Sequence, residues 1–165
     1  MSFSAKIADK LVSIVLYVVL VAMTVWSGNK ILDYAQDSRF YNDFLLYWEV
    51  NVRSYTVKSG KWPHFSGSNH VEYMDTLVQM MEETGITLPQ SNTQRSYIYR
   101  IKKIGREGEG VFVLCFPRRM ILYGLSHSTF SRIDRFIDGK QGKNEGSFIG
   151  RNCNNDNMCI GIWQL

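Results

Sequence analysis

Two cysteines near the C-terminus, Cys153 and Cys159, stand six residues apart and bracket the polar run Asn-Asn-Asp-Asn-Met. Thiols so placed close a disulfide in an oxidising compartment. Left reduced they are two free thiols, and a metal there needs further ligands that the neighbouring sequence does not offer. A Cys153–Cys159 disulfide is the expectation. Oxygen donors for a hard cation occur twice, at Asp156 among Asn154, Asn155 and Asn157, and at Asp138 with Asp134 and Glu145. Neither run has the EF-hand spacing. A polar loop closed by the disulfide is the plainer reading, so no cofactor is expected and calcium is at most a weak candidate. His64, His70 and His127 lack the H-E-x-x-H helix or Cys-x-x-Cys partner of a zinc site. No G-x-S-x-G, P-loop or dinucleotide fingerprint occurs. Cys115 and His127 could be paired as nucleophile and base. But Cys115 lies in the apolar run Val111 to Phe116, where a thiol is unreactive and packs as a small hydrophobe. No catalytic residue is assigned and an enzyme is not expected.

The remaining chemically unusual group is Asp9. It precedes the uncharged run LVSIVLYVVLVAMTVW, Leu11 to Trp26. Counted from Ile7, that segment is about 20 residues and about 30 Å of helix, the thickness of a hydrocarbon core. A carboxylate at the edge of such a segment is costly unless solvated or paired. Asp9 and Lys10 either mark the membrane surface or do something there. Lys6 and Lys10 before the run, with Asp33 and Asp37 beyond it, predict a cytoplasmic N-terminus and an exported domain. A cleaved secretory signal is the alternative, with Met1–Lys10 as n-region and Leu11–Val25 as h-region, but no A-x-A site follows.

After Trp26 the pattern becomes amphipathic. Tyr34, Asp37/Ser38, Tyr41, Phe44/Leu45, Trp48, Val52 and Tyr55 recur at helical steps, with charged residues between them. No proline interrupts Ile7 to Trp62. One helix from Ile7 to Lys58 would be roughly 75 Å long. Half of it spans or anchors, and half needs a globular partner for its apolar stripe.

The helix ends in Tyr55-Thr-Val-Lys-Ser-Gly-Lys-Trp-Pro63. A tyrosine, a short polar spacer and Gly-x-aromatic-Pro resembles the end of the long helix in type IV pilins and type II secretion pseudopilins. By that resemblance the mature chain starts at Ala5, Met1–Ser4 is a short leader cut between Ser4 and Ala5, and Asp9 stands where most members carry glutamate. The family's glycine before the cut is replaced here by Ser4. A C-terminal disulfide loop is also common in type IV pilins, and Ile133-Asp-Arg-Phe-Ile-Asp-Gly resembles, at low specificity, the distal part of some pilin-like subunits. The resemblance implies a structural subunit of a pilus or pseudopilus filament: pilin, minor pilin or pseudopilin. Its partners would be copies of itself or related subunits, the inner-membrane assembly machinery and the lipid bilayer. Asp9 would pair with the free amine of a neighbour's Ala5. The alternative is a single-span membrane protein whose exported domain binds a partner in an envelope complex.

The chain's 165 residues leave room for one small domain beyond the anchor. Residues 5–26 form the membrane or assembly part, and 27–165 the exported domain with the second half of the helix. The net charge of +4 is modest, and no basic run interleaves with aromatics as in a nucleic-acid groove, so nucleic acid is not an expected partner. Asn69 with Glu72 predicts a capping box opening a short helix that Gly85 ends. Tyr97 to Lys102 alternates as a half-buried strand, Gly105–Gly110 reads as a hairpin loop, and Val111 to Phe116 reads as a central strand closed by Pro117. Met120–Tyr123, Ser147–Gly150 and Cys159–Trp163 are further short strands, and Ser126 to Asp138 a second short helix. The fold class is therefore α+β, a long N-terminal helix packed on a small antiparallel sheet, pilin-like.

Overall fold

The computed structural model describes residues 2–105, 107–139, 146–151, 153 and 158–165, with side chains from Asp9 onward. The long helix is continuous. It consists of α1 (Ser2–Arg39), a π-helical turn (Phe40–Leu45) and α2 (Leu46–Lys58). It stops at Ser59, whose N–H still donates to Tyr55 O (2.9 Å), and Gly60 and Pro63 follow. The π turn is absent from the sequence expectation of a plain helix. Its mark is the Leu46 N–H bonded to Tyr41 O, five residues back. It lies where the helix enters the core and Phe40, Phe44 and Leu45 are all fully buried.

Five antiparallel strands follow in the order β1-β2-β3-β5-β4. They are β1 (Ile98–Ile101), β2 (Glu109–Phe116), β3 (Arg119–Leu125), β4 (Phe148–Arg151) and β5 (Cys159–Gln164). β3 is thus the central strand, and β2 lies one place towards the edge. Register determines the two faces. Tyr99 lies opposite Val111, Val113 opposite Leu122, Cys115 opposite Met120, Met120 opposite Trp163, and Trp163 opposite Phe148. These side chains share the face that receives the long helix. Phe40 and Phe44 place their rings 5.2 and 4.9 Å from Tyr99, and Tyr41 lies 6.2 Å from Trp163. The expected helical stripe buries in its distal part, where Phe44, Leu45, Trp48, Val52 and Tyr55 are all at most 1% exposed, whereas Tyr34 at its start is 50% exposed and Tyr41 is half-buried.

Helix α4 (His127–Asp138) packs on the same face, its Phe130 stacked at 4.9 Å on Phe148. Ser126 caps it by accepting from Thr129 N (3.2 Å). Helix α3 (His70–Glu83) lies beside β2 beyond the end of β1. There Tyr73 Oη donates to Cys115 O (2.9 Å) and Cys115 N donates to Met74 Sδ (3.4 Å). The expected capping box is corrected: Asn69 turns its side chain back, accepting from Ser66 N (2.9 Å) and donating to His64 O (3.1 Å). That use stabilises the turn over 64–69 at the expense of the helix start. Gly85 ends α3 as expected, at φ +75, while Ile86 N closes back on Met81 O (3.1 Å). Gly124 marks a β-bulge between Leu122 and Leu125; at φ +87 an added Cβ would run into Gly110 O.

Candidate functional site

Among the described residues nothing packs against the apolar column Leu11–Trp26. Its large side chains are 44–70% exposed. Within the described residues the helix Asp9–Lys58 is the one long and apolar enough to cross a membrane, and its apolar window is 0% buried. The two aliphatic hydroxyls in this window, Ser13 and Thr24, are internally satisfied. Ser13 Oγ donates to Asp9 O (2.9 Å) and Thr24 Oγ1 to Leu20 O (2.8 Å), so neither brings an unmet hydrogen bond into hydrocarbon. Lys30 Nζ lies 5.8 Å from the Trp26 ring, which places an amphipathic aromatic and a cation together at the end of the column. Asp9 is exposed on the same helix. Ser4 and Ala5 lie on the helical backbone, and their side chains fall outside the described residues.

Just past the column, the helix is clamped to the head by buried charges. Asp37 is fully buried, and its carboxylate takes two cations. Oδ1 accepts from Lys103 Nζ (2.6 Å) and from Thr129 Oγ1 (3.3 Å), and Oδ2 pairs with Arg132 Nη1. Lys103 also faces Glu109 Oε1 (3.9 Å), and Glu109 Oε2 accepts from Ser126 N (3.1 Å). The cluster joins α1, the β1–β2 hairpin and α4 around one carboxylate. Sequence periodicity placed Asp37 on the inner stripe but gave no sign of Lys103, Arg132 or Glu109. Their partners are 66 and 95 residues away for Lys103 and Arg132.

On the β5–β4 side of the sheet Cys153 and Cys159 are disulfide-bonded, with Cα atoms 4.4 Å apart, as expected. Asp156, the first calcium candidate, lies outside the described residues, as do Asn154, Asn155, Asn157 and Glu145. Asp138, the second, holds the chain after α4. Oδ1 accepts from Ser147 N (2.9 Å) and Ser147 Oγ (2.6 Å), and Oδ2 accepts from Phe148 N (2.9 Å). No group of three metal-ligating side chains occurs among the described residues. Burial alone would push the Asp138 carboxyl up, but these Ser147 and Phe148 donors outweigh it and hold the group below its ordinary 3.8. The sign follows. A depressed folded value contributes stability above 3.8 that disappears as pH falls through that lower value. Asp138→Ala therefore costs about 1–2 kcal/mol at neutral pH, and urea titrations of variant and parent converge in acid. A difference that persists unchanged to pH 2 would contradict this use of the carboxylate.

Cys115 is fully buried, and burial pushes its thiol far above the ordinary value, which leaves no nucleophile there. His64 is exposed, and His127 is half-buried at the start of α4. His70 sits edge-on to Phe65 (5.2 Å) and Tyr123 (5.7 Å).

The architecture is pilin-like: an apolar N-terminal helix runs without a break into a head, where it packs on a five-stranded antiparallel sheet with a C-terminal disulfide. Comparison with protein-family models, with curated proteins and with solved structures finds no match. The apolar helix has the character of a membrane anchor or signal sequence, and the disulfide that of an exported domain.

Proposed function

We propose that the chain is a structural subunit of a pilus or pseudopilus-type filament: a pilin, minor pilin or pseudopilin. Its action is physical and involves no catalysis. The observation that carries this reading is the unbroken continuity of the exposed apolar column with the helix that packs on the sheet of the head. Before assembly the column lies in lipid. In the filament it leaves the bilayer and packs against the same segment of neighbouring subunits, so one apolar environment replaces another. A contact that repeats without closing builds a helical fibre. The assembly machinery of the inner membrane and related subunits are the implied partners, and the head is exported.

A carboxylate buried among apolar helices needs a counter-charge. Asp9 supplies the carboxylate and the amine of a neighbour's Ala5, freed by removal of Met1–Ser4, supplies the cation. The competing reading is a single-span anchored protein that binds an envelope partner. It is favoured by Ser4, which stands where the family places glycine before its cut.

Asp9→Ala separates the two. Removing one member of a buried pair costs at least about 3 kcal/mol. Incorporation into sedimentable filaments should fall about a hundredfold, while membrane insertion and the Cys153–Cys159 disulfide persist. Normal assembly of the variant would sink the pairing. An intact mass that begins at Met1 would move the weight to the anchored reading.

A further inference from the structure

We propose that the head carries two complementary docking surfaces and that one copy's acidic α3 seats on the outer sheet face of the next copy. This rests on the filament reading above and specifies the contact between heads.

The first surface is acidic. From Trp62 to Gln94 the chain holds four carboxylates and no lysine or arginine. All four, Glu72, Asp75, Glu82 and Glu83, are exposed on α3. Their spacing, with Gln79 between, puts them along one stripe. Asp75 is held in place by the Tyr97 hydroxyl, which donates to Oδ1 (2.5 Å).

The second surface is the sheet face turned away from the long helix. Leu114 lies opposite Ile121, Ile121 opposite Ile162, and Ile162 opposite Ile149. These three isoleucines form a half-buried row across β3, β5 and β4. Phe65, in the loop before α3, and His70, at the start of α3, cover the neighbouring Phe116 and Tyr123, while the isoleucine row stays half-buried. By register, Arg100, Arg119 and Arg151 share the face, and all are exposed. No Asp or Glu of the described strands lies on it, since Glu109 points to the helix side and is buried.

The two surfaces cannot meet within one chain. Tyr73 and Met74 tie the inner side of α3 to the backbone of Cys115, so the stripe faces away from the sheet. They do match in size. A helix of 14 residues is about 21 Å long, and five strands span about 19 Å. Opposite charge on two different faces of one molecule makes a head-to-tail contact, which repeats without closing.

The test uses full-length chains in membranes. One tagged copy carries Gln79→Cys and a differently tagged copy carries Gln164→Cys, an exposed site on the sheet face. A short bismaleimide is added; the native disulfide and the burial of Cys115 leave only the introduced thiols to react. The expected result is a mixed cross-link, with neither variant cross-linking to itself. Arg119→Glu with Arg151→Glu in the Gln164→Cys copy should lower its yield about tenfold, a repulsion of about 1.4 kcal/mol. Glu72→Lys with Glu82→Lys in the other copy should restore it. Homotypic cross-links alone, capture of a lipid or another protein in place of the copy, or reversal without rescue would overturn the contact. So would the absence of mixed cross-links while Asp9-dependent filaments still sediment, and that outcome leaves the filament reading standing. A mixed cross-link without sedimentable filaments supports the docking and removes the filament. The absence of both overturns both.

Discussion

Replacing Asp37 by alanine lowers the stability of the head by about 3–5 kcal/mol, the cost of removing one member of a buried charge cluster. Asp37 is fully buried, and Lys103, at 5% side-chain exposure, has Glu109 at 3.9 Å as its only other counter-charge among the described residues. Without Asp37, Arg132 loses its partner, Thr129 loses an acceptor, and the cluster carries a net positive charge in a low dielectric. The loss goes beyond the ion pairs, because the same carboxylate joins the helix to α4 and to the β1–β2 hairpin. Urea unfolding of the full chain in detergent, followed by tryptophan fluorescence, measures it. Lys103→Met in the Asp37→Ala background should recover part of the loss, since it removes a charge that has lost its main partner. A single-variant cost below about 1 kcal/mol would show that water reaches the cluster and that it holds nothing.

The second large effect is at Trp48. Its side chain is fully buried, lies 6.5 Å from the Phe44 ring, and donates Nε1–H to Ser96 O (3.3 Å). Trp48→Ala leaves a cavity between the long helix and the approach to β1 and strips Ser96 O of its donor. About 3–5 kcal/mol is expected. Trp48→Phe keeps most of the volume and loses the hydrogen bond, so a cost nearer 1–2 kcal/mol is expected. Circular dichroism suits this pair because the substitution removes a fluorophore. Equal losses for the two variants would mean that the cavity contributes nothing. The consequence for assembly follows from position. Trp48 holds the helix to the head, so loosening it frees the column from the body it is meant to carry.

These two residues also show how legibility divides. Trp48 was visible in advance as one step of the stripe from Tyr34 to Tyr55, because a surface helix reports its buried side through a 3.6-residue period. Asp37 lay on the same stripe, yet its role was not visible. Its cations come from a hairpin and a helix far along the chain, and a lone Lys or Arg in sequence resembles any solvated one. The π turn at Phe40–Leu45 was hidden for a related reason. One residue added to one turn leaves the spacing of apolar residues almost unchanged. The Asn69 side chain can satisfy either a helix N-terminus or a turn, and only the path of residues 64–69 decides between them.

The sequence by itself determined the apolar column, the stripe that continues it, the class of the fold, the strands and the C-terminal disulfide. Each is written in local composition or period: a run without charge, steps of three and four, alternation by two, two thiols around a short loop. Tertiary structure alone decided which face of the sheet the helix covers and where the buried charges meet. It also decided that Asp138 bonds to the backbone at 147 and 148, and that acidic α3 and the arginine-bearing sheet face point apart. Those are relations between distant segments, fixed by register and packing, and no local pattern encodes them.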